Sequence, residues 1–428
     1  MIATALVTLL LLMALAIPVA AAMGVLGLVL GQMYAFLPVS KVAGEIAWTS
    51  SNEFLLVALP LFILLGELLL RSGLAERMYE SLAKWLSWLP GGLMHSNIAA
   101  CAMFAATSGS SVATAATVGT VALPQAKRFG YNERLFLGTL AAGGTLGILI
   151  PPSINMIIYA VLTNTSVPRL YLAGIIPGIL LALGFMVVVA VACTLRPAWG
   201  GRRVVSTLSA CVAGLVHLAP PLGIFLVVVG SIYAGLATPT EAASLGVMAG
   251  LGLAAWNRTL GWPMLQDALL GTMRSTGMIM LIIVAAYFLN FVMSSIGLTT
   301  RLTDTVQGLG LSKWEMLFAV IVFYVILGCF METLSMMITT IPIIAPVMQA
   351  LGFDMIWFGI VIIVLVETAL ITPPVGLNLF VVHNLRTSGS MNDVIIGSLP
   401  FVAAMFLLLL LLAFFPGLAL WLPSVVAQ

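Results

Sequence analysis

The sequence has very little charge. Asp, Glu, Lys and Arg make up only 7% of the 428 residues, whereas 62% are hydrophobic. A soluble protein of this size needs far more charge to cover its surface. The net charge of +2, with no basic cluster larger than Arg202–Arg203, gives no reason to expect nucleic acid as a partner. These shortages exclude a soluble globular protein and indicate a membrane protein.

Motifs for disulfides, metals and nucleotides are also missing. No Cys-x-x-Cys spacing links the four cysteines, which lie in apolar segments and are interpreted as packing residues: Cys101, Cys193, Cys211 and Cys329. The three histidines are isolated along the chain. Neither Gly-x-x-x-x-Gly-Lys nor His-Glu-x-x-His occurs. We therefore expect neither an ATP-driven pump nor a zinc protease, and no enzyme.

Apolar runs recur along the whole chain. Each is about 20 residues long, as roughly 30 Å of hydrocarbon requires. They predict an all-α polytopic membrane protein with about ten spanning helices, at residues 2–20, 23–39, 52–70, 136–165, 170–195, 208–234, 240–257, 270–296, 356–384 and 394–415. The first run has no basic leader, so we expect an uncleaved span.

Two of these helices are interrupted at corresponding places. Pro151 and Pro152 precede Pro373 and Pro374 by 222 residues, and several other prolines, glycines and phenylalanines pair at the same offset. The offset predicts two repeats, residues 1–206 and 207–428, each with one broken helix (136–165 and 356–384). A broken spanning helix exposes backbone carbonyls at membrane depth, which is tolerated only where they line a cavity or bind a ligand. The pair therefore indicates a transport site.

Two further apolar stretches are interrupted by small polar residues. Residues 91–124 are interrupted at Thr107–Ser111, and residues 314–347 near Cys329–Thr333. Each arm has roughly 12–18 residues, or about 18–27 Å of helix, which is marginal for crossing a membrane. We predict two re-entrant helical hairpins. The amphipathic segments 72–89 and 299–313 precede them as interfacial arms that either brace a mobile unit against a fixed frame or serve as surface linkers.

The charges predict how the repeats are oriented. The linker after the first hairpin carries Lys127, Arg128 and Arg134, whereas the matching linker at 349–356 has no basic residue. By the positive-inside rule the first linker is cytoplasmic and the second lies on the opposite face. Matched segments on opposite faces define an inverted repeat, and this topology places both termini in the periplasm.

Oxygen-bearing residues at the hairpin tips and broken helices are the candidate site. Hard cations such as Na⁺ prefer oxygen ligands, and freed backbone carbonyls supply more of them. The tips contribute Ser108, Gly109, Ser110, Ser111 and Thr114 in the first hairpin, and Glu332, Thr333 and Ser335 in the second. Each half thus offers enough ligands for one cation. The alternative for Ser-Gly-Ser-Ser is close packing of small residues between helices.

Two acidic residues lie in apolar sequence. A charge there costs about 2.5–3.5 kcal/mol or more, so Glu332 and Glu367 either neutralise a cation or are protonated, hydrogen-bonded structural groups. Glu67 is expected to pair with Arg71 at i,i+4. An organic anion would be held by hydroxyls and amides near the tips and breaks, for which the candidates are Ser110, Ser153, Asn155, Tyr159, Thr333 and Asn378.

Three motifs together resemble the large membrane subunit of tripartite ATP-independent periplasmic (TRAP) transporters: Gly147 to Ile154, Ile371 to Asn378 and Thr238 to Ala243. The resemblance implies an elevator-type, Na⁺-driven importer of organic acids in the bacterial inner membrane. It also implies a small four-helix membrane subunit and a periplasmic substrate-binding protein as partners, alongside membrane lipids.

The resemblance also implies two Na⁺ sites. The first joins Ser108 to Ser111 with Gly144, Gly147 and Pro151. The second joins Glu332 and Thr333 with Thr368, Thr372 and Pro373. The chain departs from the family pattern at Glu332, where Asp is more common, and at Ala369, where Gly is more usual.

Other functions stay open at this point. A proton-coupled antiporter or exporter of a related elevator fold would use Glu332 and Glu367 as proton carriers. A membrane enzyme would need a nucleophile–base pair, which the sequence lacks. A channel has no need of paired hairpin tips. A structural scaffold leaves the costly polar groups unexplained. The residues fit a C4-dicarboxylate and a sugar acid such as sialic acid equally well.

Overall fold

The computed structural model describes residues 1–15, 17–35, 38–204, 206–308, 310, 312–328, 331–373, 376–386 and 388–426. All regular structure in these ranges is helical. The first half contains α1 (Ile2–Ala14), α2 (Val19–Tyr34), α3 (Ala43–Ser51), α4 (Ala58–Arg71), α5 (Leu74–Leu86), α6 (Leu93–Ser108), α7 (Ser111–Phe129), α8 (Glu133–Leu149), α9 (Ile154–Thr163) and α10 (Val167–Leu195).

The second half continues the helical series. It contains α11 (Leu208–Tyr233), α12 (Pro239–Trp256), α13 (Trp262–Ser295), α14 (Leu298–Gly308), α15 (Lys313–Gly328), α16 (Thr333–Ala350), α17 (Met355–Leu370), α18 (Leu377–Asn384), α19 (Met391–Phe414) and α20 (Gly417–Val426). Among the described residues, six helices are long and apolar enough to cross a membrane, or seven if the bent pair α8–α9 is one span. The polytopic all-α prediction is confirmed.

Several predicted helix boundaries differ from the structure. The expected spans 2–20 and 23–39 are the shorter helices α1 and α2, because Pro18 and Pro38 interrupt the run: proline has no backbone N–H for the preceding turn. Helix α13 begins eight residues before the predicted 270, since Pro263 is accommodated in its first turn. The short helices α3 and α20 were not expected from the apolar pattern. Thr238 and Glu241 form a capping box that begins α12, as expected.

Both predicted hairpins are present as packed helix pairs. In the first, Gly109 ends α6 in the left-handed conformation (φ 62°) and Ser110 caps the start of α7, so two residues reverse the chain. In the second, the hydroxyls of Tyr324 on α15 and Thr340 on α16 share a hydrogen bond. The predicted interruption at Cys329–Phe330 lies outside the described residues.

Both predicted breaks also separate two helices. Helices α8 and α9 meet at 43° around Ile150–Ser153. Helix α17 ends at Leu370 and α18 begins at Leu377, and Pro374 of this second break lies outside the described residues.

The helices pack in two groups. The hairpins, broken helices, α10, α19 and α20 form what we call the hairpin bundle, and α1–α4 with α11–α13 form the frame. Within the bundle each hairpin contacts both repeats: the first packs on α8 and α18, and the second on α17 and α9. Small residues permit the closest contact, between α8 and α19, where a Cβ on Gly138 would lie 2.0 Å from the Gly397 oxygen.

The first amphipathic arm, α5, bridges these two groups. Arg77 donates to Asn257 Oδ1 at 2.6 Å, and Trp85 Nε1 donates to the Cys211 oxygen at 2.9 Å, which ties α5 to the frame. On the other side, the Tyr79 hydroxyl donates to Asn97 Oδ1 of the first hairpin at 2.8 Å. The second arm, α14, likewise packs on both α13 and α16. Both arms thus contact both groups, and their role as a brace stays a prediction.

Candidate functional site

A cavity of about 340 Å³, lined by polar and apolar residues, lies between the frame and the hairpin bundle. The frame supplies residues of α4 and α13. The bundle supplies both hairpin tips and the residues that flank both breaks. Its lining includes Glu67, Ser275, Gly109, Ser110, Ser111, Asn155, Glu332, Thr333 and Leu370. The structure therefore brings residues of both repeats to one place.

The first tip lies directly against the first broken helix. A Cβ on Gly147 would be 3.1 Å from the Ser110 oxygen, and one on Gly144 would be 3.0 Å from the Ser111 oxygen. A Cβ on Gly109 would be 3.3 Å from the Pro152 oxygen. Because these glycines have no side chains, the backbone of the tip packs directly against α8 and the first break. These residues of the first predicted Na⁺ site lie together beside the buried Pro151, whereas the side chain of Ser108 lies outside the described part.

A buried acid from the other repeat also meets this tip. Glu367 on α17 is fully buried, and the Ser111 hydroxyl donates to its two carboxylate oxygens, each at 3.0 Å. One hydroxyl proton is shared between the two oxygens. A charged carboxylate with so few partners is costly at membrane depth. The pair therefore requires a proton or a bound cation nearby.

Asn378 supplies a further oxygen at the first tip. Its Nδ2 donates to the Ala141 oxygen at 3.2 Å and lies beside Gly144, 3.1 Å from where a Cβ would stand. Its Oδ1 is buried and has no hydrogen-bond partner in the described part of the chain. An unsatisfied buried acceptor calls for a ligand. Asn378 is not among the residues that line the cavity, and its predicted role in binding the substrate stays a prediction.

The second tip is built around Glu332. Its side chain caps α16 by accepting the Ser335 N–H at 3.1 Å, and the Thr333 hydroxyl donates to Glu332 Oε1 at 3.1 Å. Glu332, Thr333 and Asn155 line the same cavity. Nearby, a Cβ on Gly328 would lie 2.0 Å from Cβ of Ala369, so a glycine on α15 accommodates the alanine on α17.

Four residues predicted for the cation or substrate sites use their side chains in hydrogen bonds to backbone groups. Hydroxyls of Thr368 and Thr372 donate within their own segment, to the oxygens of Val364 and Thr368, each at 2.6 Å. The Ser153 side chain caps α9. Tyr159 lies outside the cavity lining, and its hydroxyl donates to the Met355 oxygen at 2.7 Å, which fixes the start of α17. We interpret Tyr159 and Ser153 as residues that hold the broken helices.

On the frame side, Glu67 pairs with Arg71 as expected. Glu67 also lines the cavity, opposite Glu332 of the second tip. Within the described ranges no group of three His, Cys, Asp or Glu residues is placed to hold a metal ion. The available donors are instead hydroxyl, amide, carbonyl and carboxylate oxygens, which suit a hard monovalent cation.

Paired hairpins, helices broken at matching positions and a polar cavity within an apolar bundle define a multi-pass membrane transporter. Residues 6–418 match the family described as "Tripartite ATP-independent periplasmic transporter, DctM component". The chain therefore belongs to this family, and the predicted resemblance is confirmed.

Curated relatives cover nearly the whole chain. The C4-dicarboxylate TRAP transporter large permease protein DctM of Vibrio cholerae is 31% identical, over 95% of this chain and 94% of its own. Its namesake from Pseudomonas aeruginosa is 35% identical, over 88% and 87%. The sialic acid TRAP transporter large permease protein SiaM of Vibrio cholerae is 30% identical, over 87% of each.

Two solved structures share the fold. MtrF of Neisseria gonorrhoeae aligns with a TM-score of 0.59 at 13% identity, over 90% of this chain and 83% of that one. The YdaH transporter of Alcanivorax borkumensis aligns with a TM-score of 0.55 at 16% identity, over 88% and 90%. At these identities the likeness concerns the fold alone.

Proposed function

We propose that this chain is the large membrane subunit of a Na⁺-driven importer of organic acids in the bacterial inner membrane. Its relatives are named for C4-dicarboxylate and sialic acid transport, which supports an organic acid as the substrate. The family is tripartite and periplasmic. We therefore propose a small four-helix membrane subunit and a periplasmic substrate-binding protein as the partners.

The shared cavity is the observation that carries this proposal. Both hairpin tips face one space whose opposite wall is α4 and α13 of the frame. In an elevator mechanism the hairpin bundle carries the substrate along this wall, and Asn155, Ser110 and Thr333 hold the organic acid by hydrogen bonds. The α5 arm, bonded to both groups, constrains that movement.

Sodium binding at the first tip follows from its oxygens. The Ser111 hydroxyl, the Glu367 carboxylate and the unpaired Asn378 Oδ1 come from three different helices. A cation among them relieves the burial cost of the carboxylate. At the second tip, Glu332 and Thr333 offer the corresponding carboxylate and hydroxyl. Each net charge that enters down 100 mV contributes about 2.3 kcal/mol to substrate accumulation.

Uptake into proteoliposomes tests the coupling. The complete transporter, with its small subunit and binding protein, is reconstituted, and uptake of a radiolabelled C4-dicarboxylate or sialic acid is followed. An inward Na⁺ gradient should drive uptake, and replacing Na⁺ by K⁺ should abolish it. Undiminished uptake in K⁺ rejects Na⁺ coupling. The substrate is identified as the organic acid that the cognate binding protein retains.

Proton coupling is the second candidate, because Glu367 is fully buried and accepts from the Ser111 hydroxyl. In that mechanism Glu367 and Glu332 exchange protons during an antiport or export cycle. The double variant Glu332→Gln with Glu367→Gln separates the candidates. Transport that needs no Na⁺ and that a protonophore stops would support proton coupling. Transport that persists in the double variant would eliminate proton coupling.

A further inference from the structure

A second cavity, of about 560 Å³, lies at the opposite end of α7 from the first hairpin tip. Its walls are the last turns of α7, the first turns of α8 and the residues that follow α18. Lys127 and Arg386 are its basic lining residues, and Leu123, Phe136 and Leu385 form an apolar side. The linker that contains Lys127 is the one that the charge pattern assigns to the cytoplasmic face.

Arg386 is held in place with one donor unused. Its side chain is only 6% exposed; Nη2 donates to Glu133 Oε1 at 2.9 Å and Nη1 to the Ser390 oxygen at 3.1 Å. Its Nε is buried and has no hydrogen-bond partner among the described residues. A buried guanidinium N–H without an acceptor is costly. An oxygen ligand in the cavity would remove that cost.

Lys127 provides the second positive charge. It is exposed and makes no ion pair within the described ranges. Glu133 also lines the cavity, and Asp393 lies 3.7 Å from Arg386 and 2.9 Å from Arg134, so the two acids are balanced by two guanidinium groups. Lys127 is then left as the uncompensated charge. A single-charged anion with oxygens on more than one side fits this arrangement.

We propose that this cavity binds the phosphate headgroup of an acidic phospholipid from the inner leaflet. Basic pockets between helices on the cytoplasmic side suit such headgroups. The apolar residues beside the two charges suit the first part of an acyl chain, which a free anion would leave bare. A lipid phosphate accepts from Nε of Arg386 and from the Lys127 ammonium together.

Lipid retention by the purified transporter complex tests this site. The complex is incubated with phosphatidylglycerol or with phosphatidylcholine, and bound lipid is counted by native mass spectrometry. Lys127→Gln should lower phosphatidylglycerol retention about fivefold, the effect of one basic residue near an anionic surface. Arg386→Lys keeps the charge but loses Nε, and should lower it several-fold. Retention of phosphatidylcholine should stay low throughout.

Arg128→Gln is the matched control, because Arg128 is the exposed neighbour of Lys127 but does not line the cavity. Equal losses in Lys127→Gln and Arg128→Gln would reduce the effect to general surface attraction and overturn the proposal. Inorganic phosphate forms the second arm: displacement of phosphatidylglycerol by millimolar phosphate would show that a free anion is the ligand. If Arg386→Lys fails to fold, the comparison of Lys127→Gln with Arg128→Gln still tests the proposal.

Discussion

Ser111 of the first hairpin donates to both carboxylate oxygens of Glu367, although 256 residues separate them in the sequence. The first residue belongs to the first half of the chain and the second to the broken helix of the second half. The bond therefore joins the two halves inside the hairpin bundle. It also places a potential negative charge at the tip where backbone oxygens of Ser110 and Ser111 approach α8.

Glu367→Gln tests whether that charge takes part in cation binding. Glutamine keeps an acceptor for the Ser111 hydroxyl but cannot be negative. A hydrogen bond or contact to a charged group contributes about 1.5–3 kcal/mol, so half-saturation by Na⁺ should rise about tenfold or more. The measurement is the Na⁺ dependence of uptake in proteoliposomes. Unchanged Na⁺ dependence would remove Glu367 from the cation site.

Ser111→Ala should act in the same direction with a smaller effect, since it removes only the hydroxyl. The matched control is Ser398→Ala, because Ser398 is equally buried but donates within its own helix, to the Ile395 oxygen at 2.8 Å. The control should leave Na⁺ dependence unchanged. A comparable shift in both serine variants would indicate a general packing effect.

Asn155 and Asn378 should affect different ligands. Asn155 lines the cavity, whereas Asn378 packs on α8 beside Gly144 and its Oδ1 has no hydrogen-bond partner among the described residues. We expect Asn155→Ala to raise KM for the organic acid about tenfold at saturating Na⁺, from loss of a bond to a charged group. Asn378→Ala should instead raise the Na⁺ requirement. Initial uptake rates over a matrix of both concentrations distinguish them; a shift of the same parameter in both contradicts the assignment.

Tyr159→Phe should change stability rather than transport. The Tyr159 hydroxyl donates to the Met355 oxygen at the start of α17 and lies outside the cavity lining. Loss of this hydrogen bond should lower the free energy of unfolding by about 1 kcal/mol and leave KM for the organic acid unchanged. Thermal unfolding in detergent and uptake kinetics check the two parts. An increased KM with unaltered stability would return Tyr159 to the substrate site.

Gly138→Ala should destabilise the bundle strongly. The added Cβ would stand 2.0 Å from the Gly397 oxygen, so α8 and α19 must separate, at a cost of about 1–3 kcal/mol or more. Gly184→Ala on α10 is the control, since among the described residues no atom outside its own stretch of helix lies within 4 Å of its added Cβ. Gly184→Ala should raise the free energy of unfolding by about 0.5–1 kcal/mol. Equal melting temperatures for the two variants would contradict the close helix contact.

Local sequence patterns identified most of the architecture. Proline pairs mark breaks because they remove donors, and Gly109 with Ser110 marks a chain reversal. The amphipathic pattern of 72–89 marks an arm. Arg134, in the linker assigned to the cytoplasmic face, forms an ion pair with Asp393 at 2.9 Å.

Contacts between the repeats were not predictable in this way. The 222-residue offset relates equivalent segments but does not say which hairpin faces which broken helix. Glu367 lies in the second broken helix, yet its hydrogen-bond partner is Ser111 of the first hairpin. Asn378 and Tyr159 were grouped only because each follows a break. In the structure Asn378 on α18 donates to α8, whereas Tyr159 on α9 donates to the start of α17. Such long-range packing leaves no local signal.

A cross-link between frame and bundle tests the elevator most directly. Leu70 of α4 and Val112 of the first hairpin line opposite walls of the cavity, and cysteines there are joined by a bifunctional maleimide in a cysteine-free background. Arg77 and Asn257, which hydrogen-bond between the arm and the frame, provide the control pair. The account predicts that linking Leu70→Cys to Val112→Cys stops Na⁺-driven uptake, while the control link preserves it. Full uptake by the quantitatively linked Leu70–Val112 protein would contradict a moving hairpin bundle.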